Sequence, residues 1–170
     1  MKKAIVTGAT GFIGASFIQF LIAKDIDVVA LGRKPLANVQ ESRRKKIEGA
    51  TYINLEMKEI QNLDKKIAEI NWDTGNECIF FNLAWGGENG LSDLDIHAQM
   101  NNVVWCVAAL EVSVEIGCSR FIQVGTMEEA FTYSYLKLDH HKNDQYNRHV
   151  IYSVAKIAAK NALKLKASIL

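Results

Sequence analysis

Lys3-Ala4-Ile5-Val6-Thr7-Gly8-Ala9-Thr10-Gly11-Phe12-Ile13-Gly14 is the stretch that decides the fold. Ala4 to Val6 is a short apolar run that reads as a buried strand, Ala4–Thr7. Three glycines follow at a spacing of three. Phe12, Ile13, Ser16, Phe17, Phe20 and Leu21 then recur at helical spacing, which predicts a helix over Phe12–Lys24. A strand, a glycine turn and a helix in that order make the context a dinucleotide phosphate requires. The glycines allow a tight turn, a close approach to the pyrophosphate and packing of helix on strand. N–H groups at the helix start, Gly11 to Gly14, would face the phosphates.

Outward from this turn, strand and helix signals alternate. Strands are expected at Val28–Leu31, Thr51–Asn54, Cys78–Ala84 and Arg120–Val124. The all-apolar run Val28–Leu31 reads as a strand buried on both faces. Helices are expected at Gln40–Glu48 (basic and weakly amphipathic), Met57–Ile70, Leu94–Ile116 and Val150–Lys166. Gly117 is the expected C-cap of the long fourth helix. Phe131–His149 is polar. Such alternation predicts an α/β fold: a doubly wound parallel sheet with right-handed crossovers and helices on both faces.

A chain of 170 residues is one domain's worth, enough to bury roughly 70% of its unfolded surface. Its net charge of +1 gives no reason to expect nucleic acid or an anionic membrane as a partner. Met1-Lys2-Lys3 does not open a secretion signal, because Thr7, Gly8, Thr10 and Gly11 break the apolar run. No stretch approaches the roughly 18 apolar residues of a membrane span. Cys78, Cys106 and Cys118 are odd in number and widely spaced, which suits free thiols in a reducing cytoplasm.

In a doubly wound sheet the ligand lies along the carboxyl ends of the strands. Strand two leaves at Leu31-Gly32-Arg33-Lys34. Gly32 stands where an acid would hold the ribose 2′-hydroxyl of NAD, and two cations follow, so a 2′-phosphate could pair with Arg33. That favours NADP over NAD. Strand three leaves at Asn54-Leu55 and strand four at Asn82-Leu83-Ala84-Trp85-Gly86-Gly87, where small residues would admit a flat cofactor. Trp85 either lines a pocket or caps the core. Strand five leaves at Gly125-Thr126-Met127-Glu128-Glu129, and at least one glutamate is expected in a solvated loop. Tyr152 and Lys156 lie four apart on one helix face. An ammonium beside a phenol favours the phenolate, and a tuned phenol can exchange a proton during hydride transfer. His140, His141 and His149 offer a weaker alternative, a metal enzyme, without the fixed spacing of a zinc site.

Taken together, these motifs resemble the extended short-chain dehydrogenase/reductases, the NAD-dependent epimerase/dehydratase group that includes nucleotide-sugar epimerases and reductases. Thr7-Gly8-Ala9-Thr10-Gly11-Phe12-Ile13-Gly14 is similar to its cofactor motif, and Asn82-Leu83-Ala84 to its strand-four motif, usually His-Leu-Ala. Asn102-Val103, Leu110-Glu111 and Gly117 to Phe121 resemble its fourth-helix and fifth-strand pattern. Gly125-Thr126 and the pair Tyr152 and Lys156 complete a likeness running from Lys3 to about Leu163.

The resemblance implies roles. Tyr152 would be the general acid/base, Lys156 would lower its pKa and hold the nicotinamide ribose, and Thr126 would hold the substrate oxygen. Gly8, Thr10, Gly11, Phe12, Ile13 and Gly14 would hold the pyrophosphate. Asn54 and Leu55 would flank the adenine, though the family usually has Asp at the first position. Leu83, Ala84 and Trp85 would border the nicotinamide, and Asn102 would hydrogen-bond on the cofactor side or within the fold. The implied substrate is a nucleotide-linked sugar.

Thr126 and Glu128 match the Thr-Asp-Glu of dehydratases, but Met127 replaces the acid. Gly125, Thr126 and Glu129 fit an epimerase/reductase pattern better. Family members continue well beyond the Tyr-x-x-x-Lys helix, so residues 1–170 are expected to be the NAD(P)-binding domain without the substrate domain. Such a chain would be a poor enzyme by itself, because remote substrate contacts supply orientation. It would also expose apolar surface, and the resemblance implies a possible homodimer, since the fourth and last helices form the dimer face in many relatives. The competing expectation is a non-catalytic NAD(P)-binding or sensing module.

Overall fold

The computed structural model describes residues 2–88, 90–139 and 148–170. Five strands form one parallel sheet: β1 (Lys3–Thr7), β2 (Asp27–Gly32), β3 (Thr51–Asn54), β4 (Cys78–Asn82) and β5 (Arg120–Gln123), in the order β3-β2-β1-β4-β5. The register places Ile5 against Val29 on one side and Phe80 on the other. The order reverses direction at β1, the switch point that the alternating pattern requires. The expected α/β class is what the chain adopts.

Period-two alternation distributes the strand side chains to two cores. Ala4, Val6, Val28 and Ala30 meet Ala15, Ile18 and Leu21 of α1 (Phe12–Ile22). Ile5, Val29, Leu31, Ile53 and Phe80 face the other way. They meet Ile60, Leu63 and Ile67, with Ala109 and Val112 of α4 (Ile96–Glu115). Burial of Val28 to Leu31 on both faces agrees with their unbroken apolar run. The chain divides into two compact units, Met1–Ala84 with Ala108–Val124, and Trp85–Val107 with Gly125–Leu170. The sheet belongs to the first.

Several element ends differ from the sequence-based expectation for local reasons. The predicted helix Gln40–Glu48 is a short α2 (Glu41–Arg44) followed by a 3₁₀ turn, Lys45–Ile47. Met57–Ile70 opens as a 3₁₀ segment, Met57–Asn62, and becomes α3 only at Leu63–Glu69. Ile60 and Leu63 are three apart and Leu63 and Ile67 four apart, matching the two periods in turn. α4 starts at Ile96 rather than Leu94, because the Asp95 carboxylate accepts from His97 N at 2.9 Å and Ala98 N at 3.1 Å. Its other end is the expected glycine cap. Gly117 has φ +81°, Cys118 N donates to Ser113 O at 2.8 Å and Gly117 N to Val114 O at 3.0 Å. The polar stretch after β5 contains a 3₁₀ turn, Met127–Phe131, and α5 (Thr132–Tyr135) before α6 (Val150–Ala167).

Where α1 leaves the glycine turn, the contact is backbone on backbone. A Cβ on Gly14 would stand 2.2 Å from Gly8 O. In an unobstructed helix Gly→Ala adds roughly 0.5–1 kcal/mol of stability. Here the obstacle is a carbonyl that no rotamer moves, and overpacking typically costs about 1–3 kcal/mol. Gly14→Ala is therefore expected to lower the urea midpoint; a midpoint equal to or above wild type would disprove the close contact.

Candidate active site

In the first unit, Gly8 has φ +67° and a Cβ there would come within 3.0 Å of Ala84 N, so the glycine turn and the exit of β4 share one narrow space. Thr7 ties them. Its hydroxyl donates to Asn82 Oδ1 at 2.6 Å and accepts from Leu83 N at 3.1 Å and Ala84 N at 3.0 Å. Asn82, where the family usually has His, extends the chain of bonds to Gln123 Oε1 at 2.7 Å. The α1 N-cap is Gly11, which has no side chain to bond the first-turn amides, and that turn carries no acidic residue. Phe12 and Ile13 are largely exposed beside it. Thr10 is held from outside: its carbonyl accepts from Arg43 Nη1 at 2.8 Å, and Lys46 Nζ donates to Ser16 Oγ at 2.9 Å. Sequence reasoning assigned Arg43 no role; only its place in a basic segment pointed to it.

Gly32 has a steric reason. A Cβ there would fall 2.3 Å from the Tyr52 hydroxyl, which donates to Lys34 O. An acid at this position, like any side chain, would collide. Asn54 Nδ2 and Leu55 N both donate to Gly32 O at 3.0 Å, so these two predicted adenine-side residues brace the end of β2. Arg33 and Lys34 are exposed. A carboxylate does stand nearby: Glu56 pairs with Lys58 at 2.8 Å. Its acidity is increased first by that hydrogen bond and charge, and weakly by Arg33.

The second unit brings together Trp85, Asn102, Thr126, Tyr152 and Lys156. Asn102 is buried and grips Gly86 from both sides, accepting from its N–H at 2.6 Å and donating to its carbonyl at 3.0 Å. Gln99 accepts from Trp85 Nε1 at 2.8 Å, which orients the indole. Small residues at 86 and 87 answer to these neighbours: a Cβ on Gly87 would lie 2.5 Å from Asp93 Oδ2. The Trp85 ring meets the Tyr152 ring edge to face, centroids 5.9 Å apart. Lys156, with 7% of its surface exposed, sets its ammonium 3.8 Å from the Trp85 centroid and 5.7 Å from that of Tyr152. Trp85 thus carries a cation on its face.

Thr126 caps the 3₁₀ turn after β5. Its hydroxyl accepts from Glu128 N at 3.3 Å, and Glu129 Oε1 accepts from Thr126 N at 3.0 Å, completing a capping box. Glu129 also pairs with Lys160 at 3.3 Å. Glu128 accepts from the Tyr135 hydroxyl at 2.6 Å and stands 3.2 Å from His149 Nδ1. The expectation of a solvated glutamate therefore fails: both carboxylates are mostly buried and engaged. Of their partners, His149 and Lys160 are 21 and 31 residues away in sequence, which hid them. Met127, where a dehydratase would carry its acid, is 74% exposed. His140 and His141 lie outside the described residues. Among the described residues no group of three or more His, Cys, Asp or Glu is placed to hold a metal.

The electrostatics differ from the simple expectation of a phenolate beside an ammonium. Burial raises the Tyr152 phenol above its ordinary value and Glu128 and Glu129 reinforce it, while a hydrogen bond from Thr126 opposes. Burial pulls the Lys156 ammonium down to about 8, opposed by Cys106 and Glu129. Desolvation is the largest cause in both, and for both it favours the neutral form. The indole face stabilises the charged lysine, by about 0.5–2 kcal/mol for such contacts. Trp85→Leu is expected to drop the Lys156 pKa by roughly 0.5–1 unit in lysine-resolved NMR titration. Trp85→Phe should restore most of it; an unmoved Lys156 in the leucine variant would remove the indole from its electrostatics.

The NAD dependent epimerase/dehydratase family model matches residues 4–167. Among curated proteins, the uncharacterized protein YbjS of Escherichia coli (strain K12) is 28% identical over 144 residues, covering 84% of this chain and 37% of YbjS. The fold is shared with the Bordetella bronchiseptica enzyme WbmH in complex with NAD+ (TM-score 0.68, 18% identity, 98% of this chain and 52% of that one). It is also shared with the UDP-Glc/GlcNAc 4-epimerase of Campylobacter jejuni (0.70, 15%, 99% and 50%). A third example is the Thermotoga maritima UDP-glucose 4-epimerase with UDP-glucose (0.67, 16%, 98% and 51%). The chain spans about half the length of these structures. With the family model covering nearly all of it, the chain belongs to the NAD dependent epimerase/dehydratase family.

Proposed function

We propose that residues 1–170 are the NAD(P)-binding Rossmann domain of a nucleotide-sugar epimerase or reductase, with Tyr152 as general acid/base. The observation that carries this reading is the grouping of Tyr152 and Lys156 against Trp85, with the Lys156 ammonium 5.7 Å from the Tyr152 ring centroid and 3.8 Å from that of Trp85, and with Thr126 among the groups that act on the Tyr152 phenol. Family membership supports it, as do WbmH with its NAD+ and the Thermotoga enzyme with its UDP-glucose. The glycine turn fits a dinucleotide: Gly8, Gly11 and Gly14 leave no Cβ over the amides, and no acid opposes a phosphate in the first turn.

Thr10, Phe12 and Ile13 share that turn and would complete the pyrophosphate cradle. Asn54, Leu55, Leu83, Ala84 and Asn102 serve by holding strand exits in place. Bound nicotinamide supplies the hydride acceptor or donor. Tyr152 takes the proton of the sugar hydroxyl as that carbon loses hydride, and returns it in the reverse direction. Thr126 orients the hydroxyl oxygen. A phenol whose pKa burial raises is scarcely ionised near neutral pH, so Lys156 must favour the phenolate in the liganded state, where its charge counts most. Supplied with NAD(P)+ and a UDP-hexose, wild type should show reduced nicotinamide by its near-ultraviolet absorbance. Tyr152→Phe should slow this by roughly 10²–10⁴-fold with dinucleotide binding intact. Turnover by Tyr152→Phe equal to that of wild type would remove the phenol from the chemistry and favour a cofactor-binding module instead.

We further propose NADP as the preferred dinucleotide. Gly32 cannot carry the acid that would grip a free 2′-hydroxyl, and Arg33 and Lys34 stand exposed beside it. In calorimetric titration, Arg33→Met should weaken NADP by roughly tenfold to a hundredfold and leave NAD unchanged. Tighter binding of NAD than NADP by wild type would reverse the assignment, with Glu56, which already feels the Arg33 charge, as a carboxylate to serve NAD.

A further inference from the structure

Two of the three cysteines meet at the amino-terminal edge of the sheet, the end opposite the glycine turn. Cys78 opens β4, fully buried in the core beside Phe80; Cys118 is partly exposed, two residues before β5, and packs on the same core. Their sulfurs are 3.6 Å apart across a separation of 40 residues, with the Cys118 thiol donating to Cys78 Sγ. The backbones beneath them are pinned. Ser119 N donates to Cys78 O at 2.8 Å and Ser119 Oγ to the same oxygen at 2.9 Å, while Cys118 N is bonded to Ser113 O. A disulfide needs about 2.05 Å, so the sulfurs must close roughly 1.5 Å, mostly by rotation of the partly exposed Cys118 side chain.

We propose that Cys78 and Cys118 are a peroxide-oxidisable dithiol that closes to an intramolecular disulfide. Solvent reaches Cys118, so hydrogen peroxide meets its sulfur first. The O–O bond breaks, one oxygen goes to Cys118 Sγ as a sulfenic acid, and the other leaves as water. Cys78 Sγ then attacks Cys118 Sγ. The S–S bond forms, the S–O bond breaks, and the departing hydroxide takes up the Cys78 proton as a second water. Two thiols are oxidised by two electrons and one peroxide is reduced. In the reduced pair the Cys118 hydrogen bond, and then the Lys3 ammonium, hold the Cys78 thiol below its ordinary value, while the hydrogen bond to Cys78 and burial hold the Cys118 thiol above its own, so attack on peroxide is the slower of the two steps. The oxidised bond would join the start of β4 to the entrance of β5 and close the chain that contains α4. Cys106, buried on α4, takes no part and is an internal control.

The test is intact-mass and peptide analysis of the reduced 170-residue chain after brief peroxide treatment, unfolding and alkylation with N-ethylmaleimide. The expected result is one adduct, on Cys106, in place of three, with the Cys78 and Cys118 peptides joined and released by dithiothreitol. Cys106→Ser should form the same link, and Cys118→Ser should keep both remaining thiols alkylatable. The proposal fails if three adducts persist, if Cys118 gains two or three oxygens while Cys78 is still alkylated, or if the disulfide joins two chains. These outcomes are read without any dinucleotide and do not depend on the proposed enzymatic activity.

Discussion

The first unit depends on one approach of backbone to backbone: α1 rests against the carbonyl of Gly8, with no room for a methyl group at position 14. The turn that makes this contact passes through a left-handed residue, Gly8, directly after β1. The Thr7 hydroxyl then fixes where β4 ends, because it bonds Asn82 and the two amides that follow. One buried hydroxyl thus sets the distance between the turn and the Leu83-Ala84 exit. Losing it would leave two amides and a side-chain carbonyl without that partner, a larger cost than the net worth of the bonds made.

A different constraint organises the second unit. Asn102 holds both polar groups of Gly86 and Gln99 holds the Trp85 indole, so the ring presents a fixed face. A lysine whose ammonium burial pulls down to about 8 lies over that face. The capping box at Thr126 and the Glu128 contacts to Tyr135 and His149 likewise commit two carboxylates to shape. The phenol that they surround is harder to ionise for it. Within this unit, the groups that build the site and the groups that would act in it are in electrostatic contact.

The regions where sequence reasoning succeeded share a property: their signal is local. The β1 run, the glycine spacing, the doubly buried β2 and the Gly117 cap depend on neighbours within a few residues, and the structure keeps all of them. The 40–48 segment is α-helical only at Glu41–Arg44 before turning 3₁₀, and the first half of 57–70 is 3₁₀, where the three-residue step from Ile60 to Leu63 serves a 3₁₀ turn as well as a helix. Gly32 could be read as a missing acid, but not as a residue crowded by Tyr52, since that clash spans two strands.

The sequence by itself determined the fold class, the family and which residues are candidates for handling the proton. Fold class and candidates are written in strand periodicity, in glycines at fixed intervals and in a four-residue helical step, and the family in the likeness of whole motifs. Only the tertiary structure decided the surroundings of those residues: that Trp85 carries the Lys156 ammonium, that Glu128 is taken by Tyr135 and His149, that Arg43 braces Thr10, and that Cys78 and Cys118 touch. The reason is physical. Ionisation and reactivity are set by burial and by charges within a few ångströms, and a chain brings those groups together from tens of residues apart only when it folds.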